Sequence, residues 1–584
     1  MEAAGAALGN NALHDETPAP VRTLIDALLE EQRQLSAVDR FSQAHDGPGS
    51  CPALPGGAAA RYRELMPASP PGPGQQYAFE VMLDQCSGCK ACVTACHSLN
   101  GLDPAETWRE VGLLLSNDHR QPFQQTITTA CHHCVDPACL SGCPVLAYEK
   151  VESTGIVRHL DDQCIGCQYC VMMCPYEVPQ YSEARGIVRK CDLCSQRLSV
   201  GEAPACAQAC PNDAIHIRVI DTAPLEAALR PHPNLAEDSH AARHDPRPAA
   251  WLPGAPDAAI TVPTTRYVSR QPLSPDLVPA DAAEERLQPA HWPLVWMLTL
   301  TQLSVGLFLC ATALPAAAHR SLAWMAGGAA ALGIVASTLH LGQPLKAWRS
   351  FLGLRRSWLS REILTFGGFL PLAAAAVLRM ELLPGTALPP AWTSLAAFVG
   401  LAGVMCSGMI YHQTRRAFWR GFRSLGRFLL TTVALGVAGA WALDAWKGGP
   451  TQRTLPCLLL LITTAKIALD LRLLRRADSE EAELAWPRPA QADSWSLTQT
   501  ARRLRGTLGS VQRARFTCAW VGGMLLPMFA LQGVISVLSP LAVGAFVLGV
   551  AGEILERWLF FRAVVPARMP GGLSAPGREG ADHA

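Results

Sequence analysis

The chain has 584 residues, a formal net charge of +1 and 49% hydrophobic residues. That length exceeds one hydrophobic core, so two or three domains are expected, and the near-neutral charge excludes a general electrostatic attraction to nucleic acid. Seventeen of the 21 cysteines precede residue 211, whereas the apolar residues concentrate after residue 293; so many free thiols suit a reducing compartment.

Residues 1–76 read as an N-terminal extension. Val21, Leu24, Ile25, Leu28 and Leu29 recur at helical spacing, and Leu35, Val38 and Phe41 prolong the stripe, which predicts an amphipathic helix over 21–45. Such a helix either packs on its own domain or docks a partner, since an apolar stripe does not name what covers it. Residues 47–76 are a linker rich in proline, glycine and alanine, and Cys51 within it reads as a bystander thiol. Neither an apolar leader nor a twin-arginine pair opens the chain.

Residues 77–220 hold sixteen cysteines in four groups of four. Cys86, Cys89, Cys92 and Cys96 are spaced C-x2-C-x2-C-x3-C, and Cys164, Cys167, Cys170 and Cys174 repeat that spacing. Cys131, Cys134, Cys139 and Cys143 open the middle gap by two residues; Cys191, Cys194, Cys206 and Cys210 open it to eleven. Proline follows the fourth cysteine in three groups, at Pro144, Pro175 and Pro211. This pattern binds [4Fe–4S] clusters: three close thiolates hold one cluster and the fourth reaches to a second. Structural zinc sites use two C-x2-C pairs and leave the repeated third and fourth cysteines unexplained. Short strands are expected at 77–83, 155–160 and 215–220, around the cluster loops.

Residues 221–290 form a second linker, rich in proline and alanine, too long to be structureless within a compact domain. It is expected to cross the surface of the ferredoxin domain or a partner, with 261–267 extended. No nucleotide, flavin or nicotinamide motif occurs, so electrons come from elsewhere.

From Trp292 onward, apolar runs long enough to cross a bilayer alternate with short polar loops. Eight are expected, near 294–314, 322–342, 362–379, 392–411, 428–446, 454–471, 516–536 and 540–560. The loops after the second, fourth and sixth runs carry 19 Lys and Arg, against Arg320, Arg379, Lys447 and Arg453 on the other side. That bias puts the even-numbered connections, both termini and the ferredoxin domain in the cytoplasm. The fold class expected is an α+β ferredoxin-like four-cluster domain followed by an all-α eight-helix transmembrane bundle over 291–565, with a disordered tail at 566–584. Cys310, Cys406, Cys457 and Cys518 read as packing residues.

The cysteine region resembles the four-cluster ferredoxin subunits of the dimethyl sulfoxide reductase family of molybdenum oxidoreductases. The resemblance implies four ligand sets: Cys86, Cys89, Cys92 with Cys210; Cys191, Cys194, Cys206 with Cys96; Cys131, Cys134, Cys139 with Cys174; and Cys164, Cys167, Cys170 with Cys143. Relatives that hold a three-iron cluster have tryptophan where Cys170 stands, so four cubanes are implied. Residues 290–565 resemble the anchor subunit of the same family, through 340–344 (HLGQP), 357–362 (SWLSRE), and Glu553 with Glu556 and Arg557. The chain thus looks like a fusion of the two subunits.

That anchor family implies a quinol site using a histidine and an acidic residue, matched by His340 and Glu362. Both fall at one membrane face, where Arg361, Trp358 and His412 also sit. Oxidising a quinol releases two protons and so needs an acceptor beside an apolar slot; the plainer alternative is that these side chains only line the headgroup boundary. A haem would want two facing histidines, such as His340 and His412, but the family resembled has none. The expected protein is an inner-membrane electron conduit with no bond-breaking site of its own. It joins the quinone pool, in anaerobic respiration, to a separate catalytic subunit bearing molybdopterin. A cytoplasm-facing quinone-dependent sulfite dehydrogenase shares the architecture. A redox-coupled ion transporter would need ionisable residues at mid-membrane in several helices, and the few in view, Asp444, Lys466 and Asp470, lie near helix ends.

Overall fold

The stretch entering the first cysteine group is a strand, β1 (Gln75–Met82), paired antiparallel with β8 (Ile215–Asp221), which leaves the fourth group. In this computed structural model the described residues are 65–116, 122–230, 251–274, 276–282, 284–448, 453–479, 492–532 and 538–570, together with Glu30. The expected helix over 21–45, Cys51 and residues 571–584 lie outside them, Glu30 apart. The β1–β8 register runs from Gln75↔Asp221 to Val81↔Ile215, so the loops carrying Cys86 and Cys210 leave the same end of the pair. A second antiparallel pair, β4 (Tyr148–Lys150) and β5 (Val157–His159), joins Tyr148 to His159, so the loops carrying Cys143 and Cys164 meet at the same end of that pair. The hairpins β2 (Glu110–Ser116) with β3 (Gln124–Thr129) and β6 (Gln180–Ser182) with β7 (Ile187–Arg189) fill the remaining gaps between cysteine groups.

Each group then turns into a short helix: α1 (Ala91–Asn100), α2 (Ala138–Gly142), α3 (Tyr169–Met173), and the pair α4 (Ser195–Ser199) and α5 (Ala205–Gln208). The turns use left-handed backbone, at Gly88, Lys90, Gly166, Gln168, Leu193 and Cys194. Glycine meets that conformation without a Cβ clash, which explains Gly88 and Gly166. The turn aims amide groups back at sulfur: Gly166 N–H donates to Cys164 Sγ (3.4 Å) and Leu193 N–H to Cys191 Sγ (3.4 Å).

Residues 221–290 differ from the expected linker. They form α6 (Thr222–Leu229), then β9 (Arg266–Val268), parallel to β1, and β10 (Leu277–Pro279), antiparallel to β2. Leu252, Tyr267 and Leu277 pack into the same core as Val81, Leu83 and Ile127. β9 overlaps the stretch expected to be extended at 261–267, while the proline in β10 breaks the alternation that marks a strand and hides it from a sequence reading. The tail also differs at its start: Arg568 pairs with Asp281 (3.3 Å) and Met569 is buried in that core.

Among the described residues, seven helices are long and apolar enough to cross a membrane: α7 (Trp292–Ala311), α8 (Ala316–Leu339), α9 (Trp358–Leu382), α10 (Pro390–Gln413), α11 (Phe422–Trp446), α14 (Gly509–Leu531) and α15 (Leu538–Arg562, the span beginning at Ser539). The other expected run is also helical, α12 (Thr454–Leu474), but carries Lys466, Asp470 and Arg472 in its second half and stands outside those seven. Between them α13 (Ala492–Arg505) is amphipathic and buries Leu497, Ala501 and Leu504. Helix α7 packs on α8, α10, α11 and α15. It meets α11 at Gly306 and Gly436, where a Cβ on Gly306 would lie 2.0 Å from the Thr432 carbonyl oxygen; small residues permit such backbone contact between membrane helices.

Candidate electron-transfer site

Where thiols crowd together, burial and neighbouring sulfurs both disfavour the thiolate that binds metal, so only a bound cation would hold them ionised. Burial raises the Cys86 thiol; a Gly88 backbone hydrogen bond opposes this, while Cys92, Cys210 and Cys89 add to it. Cys96 is pushed up to about 12, first by burial and then by Cys206, with Cys194 also near. Cys134 is raised by burial and by Cys131, Cys174 and Cys139. Cys170 is raised by burial and by Cys167, Cys164 and Cys143. Each of these four thiols therefore has a sulfur neighbour from a different group. Among the described residues no three His, Cys, Asp or Glu side chains could clasp a single metal ion. Cys131, Cys134, Cys139 and Cys174 instead line a small cavity with His132, His133 and Lys190. Amides from Ala147 to Cys143 Sγ (3.2 Å) and from Ala214 to Cys210 Sγ (3.3 Å) supply further donors to sulfur. A donor set of thiols ringing a space and fed by amide N–H groups suits a multi-iron cluster.

The second and third groups face the membrane helices. Gln343 N–H donates to the Ile165 carbonyl (3.0 Å), Ser357 Oγ to the Gly142 carbonyl (2.7 Å) and Tyr169 OH to the Ile410 carbonyl (3.0 Å). Leu341 packs against the apolar cluster that includes Cys164 and Cys170.

Of the five expected quinone residues, His340 caps α8 and faces His291, ring centres 5.3 Å apart. It lies beside the Cys167 backbone, and its Nε2 is buried without a hydrogen-bond partner. Glu362 is 4% exposed and accepts from Ser407 Oγ on α10. Arg361 stacks on Trp358 (4.3 Å) and donates to the Leu354 carbonyl (3.0 Å), closing the turn before α9. His412 Nδ1 accepts from Gly421 N–H (2.9 Å) and closes the turn between α10 and α11. The last three are therefore tied to loop structure, whereas His291, which the sequence does not single out, joins His340.

Sequence reasoning also missed a buried ionic chain inside the bundle. Arg427 pairs with Asp470 (2.9 Å), Asp470 with Arg515 (2.6 Å), and Arg515 with Glu556 (3.2 Å). Lys466 bridges Glu556 (2.8 Å) and Glu553 (2.5 Å), and Arg557 joins Thr431 (2.9 Å) and Gln302 (3.0 Å). The residues come from five helices, so only the assembled fold shows that they meet. Ionisable residues in the bundle interior are thus more numerous than the three in view from the sequence.

The B subunit of the anaerobic dimethyl sulfoxide reductase of Escherichia coli (strain K12) is 34% identical over 203 residues, which cover 33% of this chain and 96% of that protein. The chain belongs to the dimethyl sulfoxide reductase iron–sulfur subunit family. Within it, residues 123–220 match the 4Fe-4S dicluster domain and residues 288–562 the DMSO reductase anchor subunit (DmsC). Hydrogenase-2 operon protein HybA of Escherichia coli O157:H7 is 35% identical over 195 residues, 28% of this chain and 58% of that protein. The iron–sulfur subunit of the nitrate-inducible formate dehydrogenase of Escherichia coli (strain K12) is 33% identical over 168 residues, 25% of this chain and 57% of that protein. This member of the dimethyl sulfoxide reductase family therefore carries iron–sulfur and anchor parts in one chain. It is a multi-pass membrane protein whose [4Fe–4S] clusters transfer electrons.

Proposed function

We propose that the chain relays electrons between the membrane quinone pool and a separate molybdopterin catalytic subunit through four [4Fe–4S] clusters. The sixteen cysteines of residues 77–220 hold them in the four mixed sets given above. A bound [4Fe–4S] cluster supplies reversible one-electron carriage; the chain's own residues position it, supply amide donors and exclude water. The anchor over 291–565 has eight spans, α12 being the eighth, and the ferredoxin domain and both termini face the cytoplasm. Quinone binds at His340 and Glu362, with Arg361, Trp358 and His412 shaping the surrounding loops.

The observation that carries this reading is the contact between His340 and the backbone of Cys167. It sets a buried imidazole edge, free at Nε2, directly beside a ligand of the cluster nearest the membrane. Glu362, buried against Ser407 on the neighbouring helix, is the proton acceptor. The test is quinol oxidation by the purified chain with an artificial acceptor. His340→Ala is expected to abolish quinol-driven reduction while dithionite still reduces every cluster; unchanged quinol rates would remove the site assignment.

A second reading, electron flow coupled to proton or ion movement, is favoured by the buried chain from Arg427 to Arg557. It predicts a pH change inside vesicles during quinol oxidation that Lys466→Met and Glu553→Gln both eliminate. Vesicles that stay at constant internal pH leave the simple conduit as the function.

A further inference from the structure

Arg109, just ahead of β2, is 2% exposed and among the largest fully buried side chains. Its Nη1 donates to Thr128 Oγ1 (3.2 Å), and that hydroxyl lies 3.8 Å from Cys92 Sγ. The guanidinium carbon stands 4.5 Å from the centre of the Phe79 ring. Nη2 is buried and has no hydrogen-bond partner. The thiols of Cys206, Cys92, Cys191 and Cys96 are the groups whose charge acts on the guanidinium. These four sulfurs belong to two of the proposed ligand sets, the two built from the first and fourth groups.

A buried guanidinium without a carboxylate is costly, because nothing replaces the water it has lost. The neighbours of Arg109 are sulfurs, so the anion that balances it is the thiolate-bound cluster itself. We infer that Arg109 directs its free N–H to the two iron–sulfur centres it lies between, those at Cys86, Cys89, Cys92 and Cys210 and at Cys191, Cys194, Cys206 and Cys96, and raises the reduction potential of both. The inference rests on the ligand sets proposed above. Its sign follows from charge: a cluster gains one negative charge on reduction, and a fixed cation in a low-dielectric site favours the more negative state. Lys190 makes an independent comparison. It is 3% exposed, donates to the Cys191 carbonyl (2.7 Å), and has the thiols of Cys131, Cys139 and Cys191 around it.

The test is a potentiometric titration of the full chain, followed by electron paramagnetic resonance, with iron counted on the same samples. Arg109→Gln is expected to lower the midpoints of two clusters and leave two in place, at unchanged iron content. Lys190→Gln is expected to lower a different pair, sharing only the Cys191 cluster with the first. Full iron with four unmoved midpoints in Arg109→Gln overturns the inference. Should Arg109→Gln lose iron, Arg109→Lys decides, because it keeps the charge and replaces the planar fork with a single ammonium. Because the inferred shift comes from the fixed charge, midpoints held at wild-type values by Arg109→Lys support it, and midpoints lowered in the flanking pair despite the retained charge overturn it. Fewer than four clusters in the wild-type chain would instead remove the ligand sets, a failure distinguishable from four clusters that ignore Arg109.

Discussion

Gly342 and Gly186 meet backbone to backbone: a Cβ on Gly342 would lie 2.1 Å from the Gly186 carbonyl oxygen. Gly166, in the loop of the third cysteine group, sits in the same contact, with its own Cβ position 2.9 Å from the Gly342 nitrogen. Three glycines thus let the cluster loop at Cys164 and Cys167 rest on the membrane loop that begins at His340. Gly342→Ala is expected to push the two apart and to cost about 1–3 kcal/mol by overpacking. Thermal unfolding would register that loss, and stopped-flow mixing with quinol would show slower cluster reduction at normal iron content. Wild-type rates in this variant would separate the glycine contact from electron transfer.

Lys466 lies between two carboxylates, Glu553 and Glu556, with a side chain only 7% exposed. Lys466→Met leaves negative charge in the bundle without its partner, and removing one member of a buried pair costs about 3–5 kcal/mol. A lowered unfolding temperature in detergent is the expected result, partly restored by adding Glu553→Gln. A single variant as stable as wild type would mean that Arg515 and Arg557 suffice to balance both acids.

Glu362 has one clear partner, Ser407, and Phe366 and Tyr411 are buried on the same two helices. Glu362→Gln keeps the shape and removes the proposed proton acceptor, so quinol oxidation is expected to fall on the order of a hundredfold. Steady-state rates at saturating quinol measure this. A fall in apparent affinity alone, with the maximal rate preserved, would make Glu362 a binding residue and not an acceptor.

Iron removal should act on the two halves differently. The ferredoxin core is assembled from strands of three to eight residues and packed around thiols, and metal-dependent cores lose their folding energy with the metal. Chelation after oxidation, without denaturant, is expected to expose residues 77–220 to protease while the helical circular dichroism of the bundle persists. Equal resistance with and without iron would show that the strands hold without clusters.

Much of this is legible in the residues alone. The cysteine spacing locates every thiol group, and the strands leading into and out of the region stand close to where the sequence puts them. What spacing does not supply is register: only the pairing of Val81 with Ile215 and Tyr148 with His159 shows that the loops of Cys86 and Cys210, and those of Cys143 and Cys164, leave the same ends of their strand pairs. Of the strands within 251–290, β9 overlaps the stretch expected to be extended at 261–267, whereas β10 stays hidden because proline masks a short edge strand whose stability comes from a neighbour. The ionic chain stays hidden because Arg427, Lys466, Asp470, Arg515 and Glu553 each look like an isolated charge near the end of its own apolar run. His291 gives no signal beyond standing just before the first membrane helix.

The most direct measurement is anaerobic mixing of the purified full chain with a quinol, followed by electron paramagnetic resonance and an iron count. The account predicts about sixteen irons per chain, the number set by four cubanes, and reduced-cluster signals that grow with quinol and vanish in His340→Ala. Zinc in place of iron, or a full iron complement that quinol never reduces, would contradict it.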